Sequence, residues 1–345
     1  MRRVSGFHIL VLLFLVCSAH ARGATFPLPA DGSNIVGQIR VVTDDSRNTL
    51  LDIARHYDLG YNEITAANPG VSVWLPGAGS RIVVPTEFIL PARPWVGIVV
   101  NIPQRRLYYF PRPKANERPT VVTFPIGISR PGWSTPLGKT RIIAKFKDPS
   151  WIVPKDIQQE HRSEGEADFP DYFPPGPNNP MGMLAMETGF AQIFIHGTNR
   201  PWGVGMRVSH GCMHLYPENA GYLFPRVPVG TPVRIIDQPV MVGERGRLLY
   251  LSASEPVAGY PDKDSLLIRA MDAVIRYKSE HKGALPKIDW ERVRQAVDAQ
   301  RIVPVPVSVG APSLDHLIAS IKPVRYAYEP YGLDANDAAP PGAVR

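Results

Sequence analysis

One short segment of the sequence combines a cysteine with three histidines at close spacing. Between Ile193 and Tyr216 the chain reads IFIHGTNRPWGVGMRVSHGCMHLY, which places Cys212 among His196, His210 and His214. A thiol attacks a carbonyl group as the thiolate, and a free cysteine titrates near pH 8.5 unless a base or a cation lies beside it. The segment therefore predicts a cysteine nucleophile that a histidine activates.

The residues next to the cysteine would shape the reaction site. Gly211 leaves room for a substrate carbonyl, and nearby backbone N–H groups could stabilise an oxyanion. If residues 209–214 form an extended strand, side-chain alternation directs His210, the cysteine and His214 to one face and Ser209 to the other. This alternation predicts a reactive face around the thiol.

The sequence IHGT followed by GMRVSHGC resembles the L,D-transpeptidase catalytic domain of the YkuD family. That family has a histidine, a gap, and then Ser/Thr-His-Gly-Cys, a pattern that His196 and Cys212 satisfy. The resemblance implies that the cysteine attacks the bond between diaminopimelate and D-alanine in a peptidoglycan stem, forming a thioester that an amine resolves. It implies that His196 is the general base and then the acid, oriented by a backbone carbonyl such as that of Gly197. His210 and Gly211 would support the oxyanion site.

The sequence departs from the family pattern two residues after the cysteine. The family usually has arginine there, and this chain has His214. Because alternation places His214 on the side of the thiol, we expect its cationic form to bind a substrate carboxylate. The pH optimum would then be a compromise between that charge and thiolate formation. A packed or solvent-facing His214 is the alternative, and Ser209 is also assigned to substrate binding.

Other interpretations of the same residues remain open. His196, His210, Cys212 and His214 could surround a zinc ion, but three of them alternate within five residues, which strains a shared tetrahedral site. We therefore predict neither a metal nor another cofactor, and keep a zinc peptidase as an alternative. A protein that binds the cell wall without catalysis is a second alternative.

The N-terminus has the features of a secretory signal peptide. A basic start, the apolar run Phe7–Cys17 and an Ala-x-Ala site ending at Ala21 predict that residues 1–21 are removed. We expect a periplasmic protein without a stable membrane span; a retained anchor is the alternative, and a lipoprotein signal at Cys17 is disfavoured because the preceding residue is not small. Of the two cysteines only Cys212 would then remain, which excludes an intramolecular disulfide.

Composition is that of an ordinary folded protein with a mild basic excess. The 345 residues are 44% hydrophobic and 20% charged, which is enough for more than one core. The net charge of +7 suits an acidic cell-wall polymer. No basic run or interleaved aromatic platform is present in the sequence, so nucleic acid is not a predicted partner.

Residues 39–86 have the pattern of a small α+β domain. The predicted elements are a strand at 39–43, helices at 49–57 and 62–67, and a strand at 81–84. The sequence TLLDIARHYDLGYNEITAANPG and the later IVVP resemble a LysM module, which implies peptidoglycan glycan as a partner. Arg47-Asn48 replaces the usual Gly-Asp, so a module that keeps the fold and binds weakly is the alternative.

Residues 95–240 are predicted to form a mainly β catalytic domain, a mixed β-sandwich of the L,D-transpeptidase type. Its predicted strands are 95–101, 106–110, 120–128, 140–146, 183–187, 192–196 and 232–236, and its helix is 217–224. The long segment 148–180 is interpreted as a rim over the active site. Within it Trp151, Tyr172 and Phe173 are candidate substrate contacts, with packing against the sheet as the alternative.

Residues 243–345 are predicted to form a C-terminal extension. Apolar stripes predict helices at 263–280 and 290–300, followed by a loose tail. The sequence does not identify the acceptor of the acyl group. A second stem's diaminopimelate, a lysine of an outer-membrane lipoprotein, or water in a carboxypeptidase would each fit.

Overall fold

We analysed a computed structural model of the chain, which describes residues 23–44, 48–260, 264–281 and 286–326. The predicted signal peptide and the predicted loose tail lie outside these residues. None of the helices in the described part is both long and apolar enough to cross a bilayer.

The N-terminal part consists of five strands and two helices. They are β1 (Ala24–Pro27), β2 (Ile35–Gly37), β3 (Arg40–Thr43), α1 (Leu50–His56), α2 (Tyr61–Ala67), β4 (Arg81–Val84) and β5 (Glu87–Ile89). β3 and β4 pair antiparallel and enclose the two helices in sequence, in the predicted order. Thr49 and Asp52 form a capping box that starts α1. After β4, β5 pairs antiparallel with β2.

A nine-stranded mixed sheet lies at the centre of the molecule. The elements of this region are β6 (Gly97–Asn101), β7 (Arg106–Phe110), β8 (Thr120–Pro125), β9 (Ile128–Ser129), β10 (Gly138–Lys147), β11 (Trp151–Ile152), α3 (Lys155–Ser163), β12 (Tyr172–Phe173), β13 (Leu184–Thr188), β14 (Phe194–His196), β15 (Arg207–Ser209), β16 (Met213–His214), α4 (Pro217–Leu223) and β17 (Pro232–Ile236). The strand order is β1-β8-β7-β6-β17-β10-β13-β14-β16. The prediction of a mainly β domain is confirmed, although the edge strand β1 begins well before residue 95.

The segment from 148 to 180, which we call the flap, is more regular than predicted. It contains α3 between the short strands β11 and β12, which pair with each other. Only Ile157 of α3 is buried, so the helix has no apolar stripe that its sequence could reveal.

Both faces of the central sheet are buried. Along β6, Ile98 and Val100 enter the core cluster that also contains residues of β14, β16 and α4, whereas Val99 enters a second cluster with Leu50 and Ile53 of α1. Alternate residues therefore pack against different partners, which explains the continuous apolar run. The module at 39–86 shares a core with the sheet, so we do not expect it to fold apart from it.

Polar contacts also join the module to the sheet. The Glu63 and Arg106 side chains form an ion pair of 2.6 Å, and each is only 1% exposed. Tyr61 N–H donates to Val204 O over 3.0 Å. This approach requires glycine at 205, where φ is +87° and a Cβ atom would lie 2.2 Å from the nitrogen of Tyr61.

The C-terminal region returns to the module. Its elements are β18 (Val240–Arg245), β19 (Leu248–Ala253), α5 (Leu266–Glu280), α6 (Trp290–Ala299), β20 (Val305–Pro306), α7 (Leu314–Ser320) and β21 (Val324–Arg325). The two predicted helices correspond to α5 and α6, while the β18–β19 hairpin, α7 and β21 were not predicted. β21 pairs with β3, and Leu314 packs with Ala67 and Val83. These partners are distant in sequence, so a local pattern does not reveal the contact.

Candidate active site

The pairing of two short strands directs the candidate catalytic side chains into a cleft. β14 and β16 run parallel, with Ile195 opposite Met213 and His196 opposite His214. Ile195 and Met213 are fully buried in the core. The residues next to them therefore point to the other face. That face borders a cleft of about 1190 Å³, whose lining includes all four predicted residues, the three histidines and Cys212.

The loop between β15 and β16 is bent, which corrects the expectation of a straight strand. Gly211 has φ of +124°, and a Cβ atom there would lie 2.8 Å from Cδ1 of Ile193. Thr135 Oγ1 donates to Gly211 O over 2.7 Å, and Ser209 Oγ donates to Cys212 O over 2.6 Å. Ser209 is buried at the edge of the cleft with its hydroxyl bonded to the loop, so it positions the loop, and its contact with substrate stays a prediction.

The Cys212 thiol is protonated in the resting site. Phe194 N–H donates to Sγ over 3.4 Å, and the thiol donates to Gln192 O over 3.5 Å. Burial raises the pKa of Cys212 to about 11, and the Phe194 N–H only partly opposes this shift. A base must therefore remove the proton when the sulfur attacks.

His196 is buried, neutral and oriented by the backbone. Its Nδ1 lies 2.7 Å from Gly197 O, the contact expected from the family resemblance. A carbonyl only accepts, so Nδ1 carries the proton and Nε2 of the neutral ring keeps a free lone pair. Burial lowers the pKa of His196 to about 4, against the opposing effect of the Gly197 and Met181 carbonyls. The ring is therefore in its basic form at neutral pH.

His214 lies in surroundings that disfavour the positive charge we expected of it. Its ring centre lies 4.6 Å from that of His196, and its backbone exchanges hydrogen bonds of 2.9 and 3.0 Å with Gly127. Burial holds the pKa of His214 well below 6.5, and the nearby His196 and His210 lower it further. These surroundings favour the packed alternative for His214, and its binding of a substrate carboxylate stays a prediction.

His210 connects the catalytic loop to the flap. Its Nε2 lies 2.7 Å from Glu160 Oε2, and Trp133 Nε1 donates to the same carboxylate over 3.1 Å. Burial alone would raise the pKa of Glu160, but these hydrogen bonds and the charge of Arg130 hold it below the usual value. Burial lowers the pKa of His210 despite the opposing carboxylate. Sequence reasoning missed Glu160, which lies fifty positions before its partner on a helix without an apolar pattern.

The flap forms an aromatic wall of the cleft. Trp151 pairs with Phe173 between β11 and β12, and their rings stack with centres 5.5 Å apart. Phe169, which was not predicted, contacts Phe173 with centres 5.7 Å apart. Tyr172 is exposed and lies outside the residues that line the cleft, so its assignment to substrate contact is not supported.

The described residues do not offer a ligand set for zinc. Across the described ranges, no group of three or more His, Cys, Asp or Glu side chains is arranged to hold a metal ion. The two nitrogens identified above, Nδ1 of His196 and Nε2 of His210, already have oxygen partners. The donors therefore do not converge as a tetrahedral site requires.

Comparison with known proteins identifies related chains. Residues 96–235 match YkuD, the L,D-transpeptidase catalytic domain. The chain is 38% identical over 327 residues to the probable L,D-transpeptidase ErfK/SrfK of Escherichia coli K12, covering 90% of this chain and 99% of that protein. It is 42% identical over 227 residues to the probable L,D-transpeptidase YbiS of the same organism, covering 65% and 72%. The crystal structure of L,D-transpeptidase 3 from Mycobacterium tuberculosis is 21% identical, with a TM-score of 0.30 over 46% of this chain and 67% of that one.

Proposed function

Because the chain belongs to the YkuD family of L,D-transpeptidases, we propose that Cys212 cleaves the diaminopimelate–D-alanine bond of a peptidoglycan tetrapeptide and passes the acyl group to an amine. The observation that carries this proposal is the His196 Nδ1–Gly197 O hydrogen bond of 2.7 Å. It leaves the Nε2 lone pair on the cleft face of β14, next to β16, which begins directly after Cys212. A neutral base and a neutral thiol thus border one cleft.

The first half-reaction follows from these protonation states. Sγ of Cys212 bonds to the carbonyl carbon while its proton moves to Nε2 of His196, because neither group is ionised beforehand. Negative charge then develops on the carbonyl oxygen. Within the described residues the Cys212 N–H has no acceptor, so it is a donor available to that oxygen. When the C–N bond breaks, the D-alanine nitrogen takes the proton from His196.

The second half-reaction reverses these steps. An acceptor amine bonds to the thioester carbon, gives its proton to His196, and releases the sulfur, which recovers the proton as a thiol. The acceptor can be diaminopimelate of another stem or a lysine of an outer-membrane lipoprotein, and water would give a carboxypeptidase. A cleft of about 1190 Å³ is large enough for more than one peptide segment.

The remaining regions complete the proposal. We propose a periplasmic enzyme, exported by the signal at residues 1–21, with a LysM-like module at 39–86, a catalytic domain at 95–240 and a C-terminal extension from 243. Because the module shares a core with the sheet, deleting it is not a clean test of glycan binding. Trp74, 42% exposed on the loop between α2 and β4, offers a better one. Trp74→Ala should weaken sedimentation with peptidoglycan and leave turnover of soluble stems unchanged.

Intact-mass analysis of the protein incubated with a disaccharide-tetrapeptide tests the reaction. We expect an adduct equal to the substrate minus D-alanine, and its absence in Cys212→Ala, which should fold normally because little packing is lost. Product masses then identify the acceptor. An adduct that persists in Cys212→Ala would exclude this nucleophile, and a folded wild type that forms none would favour a non-catalytic wall binder.

A further inference from the structure

Burial lowers the pKa of the three histidines of the cleft, and His210 is already paired with Glu160, so these rings are poor sources of positive charge for a substrate carboxylate. The family's usual arginine after the cysteine is replaced by His214, whose ring packs against His196. Three arginines line the cleft, Arg130, Arg200 and Arg207. A stem peptide carries several carboxylates. Which of these three guanidinium groups is free of other acidic partners therefore decides where the peptide can form an ion pair.

Arg130 is already neutralised by the flap. Its Nη2 lies 2.6 Å from Glu164 Oε1, and its Nε lies 3.7 Å from Glu160 Oε1. Two carboxylates share this single guanidinium. It has no unbalanced positive charge to offer a ligand.

Arg207 is half-buried and held in place by two backbone carbonyls. On β15, two residues before Ser209, its Nε donates to Ser129 O over 3.1 Å and its Nη2 to Ala258 O over 3.3 Å. In the described part of the chain no carboxylate lies within ion-pair distance of it. A guanidinium has five N–H donors, and these two bonds leave the others available. Partial burial of an unpaired cation is costly, and an anionic ligand would offset that cost.

Arg200, the other candidate for binding a substrate carboxylate, is less well held than Arg207. Its side chain is exposed, and among the described residues it makes neither a hydrogen bond nor an ion pair. A mobile, solvated cation binds an anion weakly, because ordering the side chain costs entropy and water screens the charge. A held, partly desolvated guanidinium binds more strongly because it is preorganised.

We propose that Arg207 binds a carboxylate of the donor stem peptide and makes the site selective for stems that keep that group ionised. This inference rests on the proposed function, since it names the substrate group that the same cleft reads. The carboxylate is that of the diaminopimelate side chain or of the terminal D-alanine. Arg207 takes the role that the histidine at 214 leaves vacant.

Calorimetric binding to the Cys212→Ala protein tests the proposal without requiring turnover. Three tetrapeptides serve as probes: the free acid, one amidated at the diaminopimelate side chain, and one amidated at the terminal alanine. We expect one amide to bind at least about tenfold more weakly than the free acid, the size of a hydrogen bond to a charged group. Adding Arg207→Gln should remove that preference, since glutamine keeps N–H donors for the nearby carbonyls but carries no charge.

Two further variants complete the test. Arg200→Gln should reduce the preference less than Arg207→Gln does, and Arg141→Gln, an exposed arginine outside the cleft lining, should leave it unchanged. Equal binding of all three peptides to the Cys212→Ala protein would overturn the proposal even if Arg207→Gln failed to fold. A preference that survives in a folded Arg207→Gln protein would also overturn it. Absence of a thioester in the wild type would instead count against the proposed reaction.

Discussion

The polar groups buried beneath the module and those buried in the cleft are stabilised in opposite ways. At the module, Arg106 donates to both oxygens of Glu63 over 2.6 and 2.7 Å, and also to Asp58 O over 2.8 Å. In the cleft, no charged group in the described ranges pairs with Cys212 or His196, and burial shifts both pKa values toward the neutral forms. In the first cluster the charges of Arg106 and Glu63 satisfy each other, so neither group is available for chemistry. In the second, the neutral Cys212 thiol keeps a proton that it can transfer, and the neutral His196 ring keeps a lone pair that can accept it.

This contrast predicts that mutations in the two clusters reduce different properties, stability in one and the acylation rate in the other. A change in the paired cluster should reduce the free energy of unfolding with little effect on the chemistry of the folded protein. A change in the cleft should reduce the acylation rate with little effect on stability, because few stabilising contacts of these groups involve charge.

The largest effect is expected for His196→Ala. Loss of a general base lowers the rate of thioester formation by about 10²- to 10⁴-fold. We expect a loss of this size because the Gly197 carbonyl orients the His196 ring as the base. Time-resolved intact-mass measurements give that rate, and sedimentation with sacculi gives binding. If binding and acylation fell equally, His196 would have a structural role and the comparison would fail.

The next largest effect is expected for Arg106→Met, which should lower the free energy of unfolding and leave the acylation rate unchanged. It leaves Glu63 buried without its partner, which costs about 3–5 kcal/mol of unfolding free energy. Urea denaturation measures this loss, and the acylation rate of the remaining folded protein should equal that of the wild type. The double variant Arg106→Met, Glu63→Met is the control and should recover most of the stability. A loss below about 1 kcal/mol would show that this ion pair is not stabilised by burial as we describe.

Glu160→Gln should have a moderate effect on the cleft. The amide keeps the shape but loses the charge that receives hydrogen bonds from His210 and Trp133, so we expect acylation to slow by about tenfold. Hydrogen exchange of residues 155–163 should increase, because the flap loses this contact. Glu164→Gln is the matched control, as its side chain is 42% exposed and bonds to Arg130. Equal effects of the two variants would argue against a specific role for Glu160.

The smallest expected effect is that of pH, because the rate of acylation should barely change across the neutral range. His196 becomes a cation, and loses its function as base, only as pH falls through about 4, and the Cys212 thiol ionises only as pH rises through about 11. Neither group titrates between about pH 5 and 9, so kcat/KM for acylation should be constant there. The compromise optimum expected from a cationic His214 should be absent. A steep limb near pH 6.5 that disappears in His214→Gln would show that this ring does carry charge.

Local patterns predicted those parts of the fold whose causes are local. The run of β-forming residues at 106–110 predicted β7 at its observed bounds, and the apolar spacing within 49–57 predicted α1. They did not predict α3, whose surface is mostly polar, or the pairing of β21 with β3, whose residues are almost three hundred positions apart. Elements that depend on remote partners have no signature in a short window of sequence.

The candidate site divides in the same manner. The sequence by itself determined that Cys212 and His196 belong to one motif, because residue type and spacing are properties of the chain. Only the tertiary structure decided that burial disfavours a charged His214, that Glu160 contacts His210, and that no carboxylate among the described residues pairs with Arg207. Charge state and availability depend on which distant segments remove water and supply partners, and that is settled when the flap and the sheet pack together.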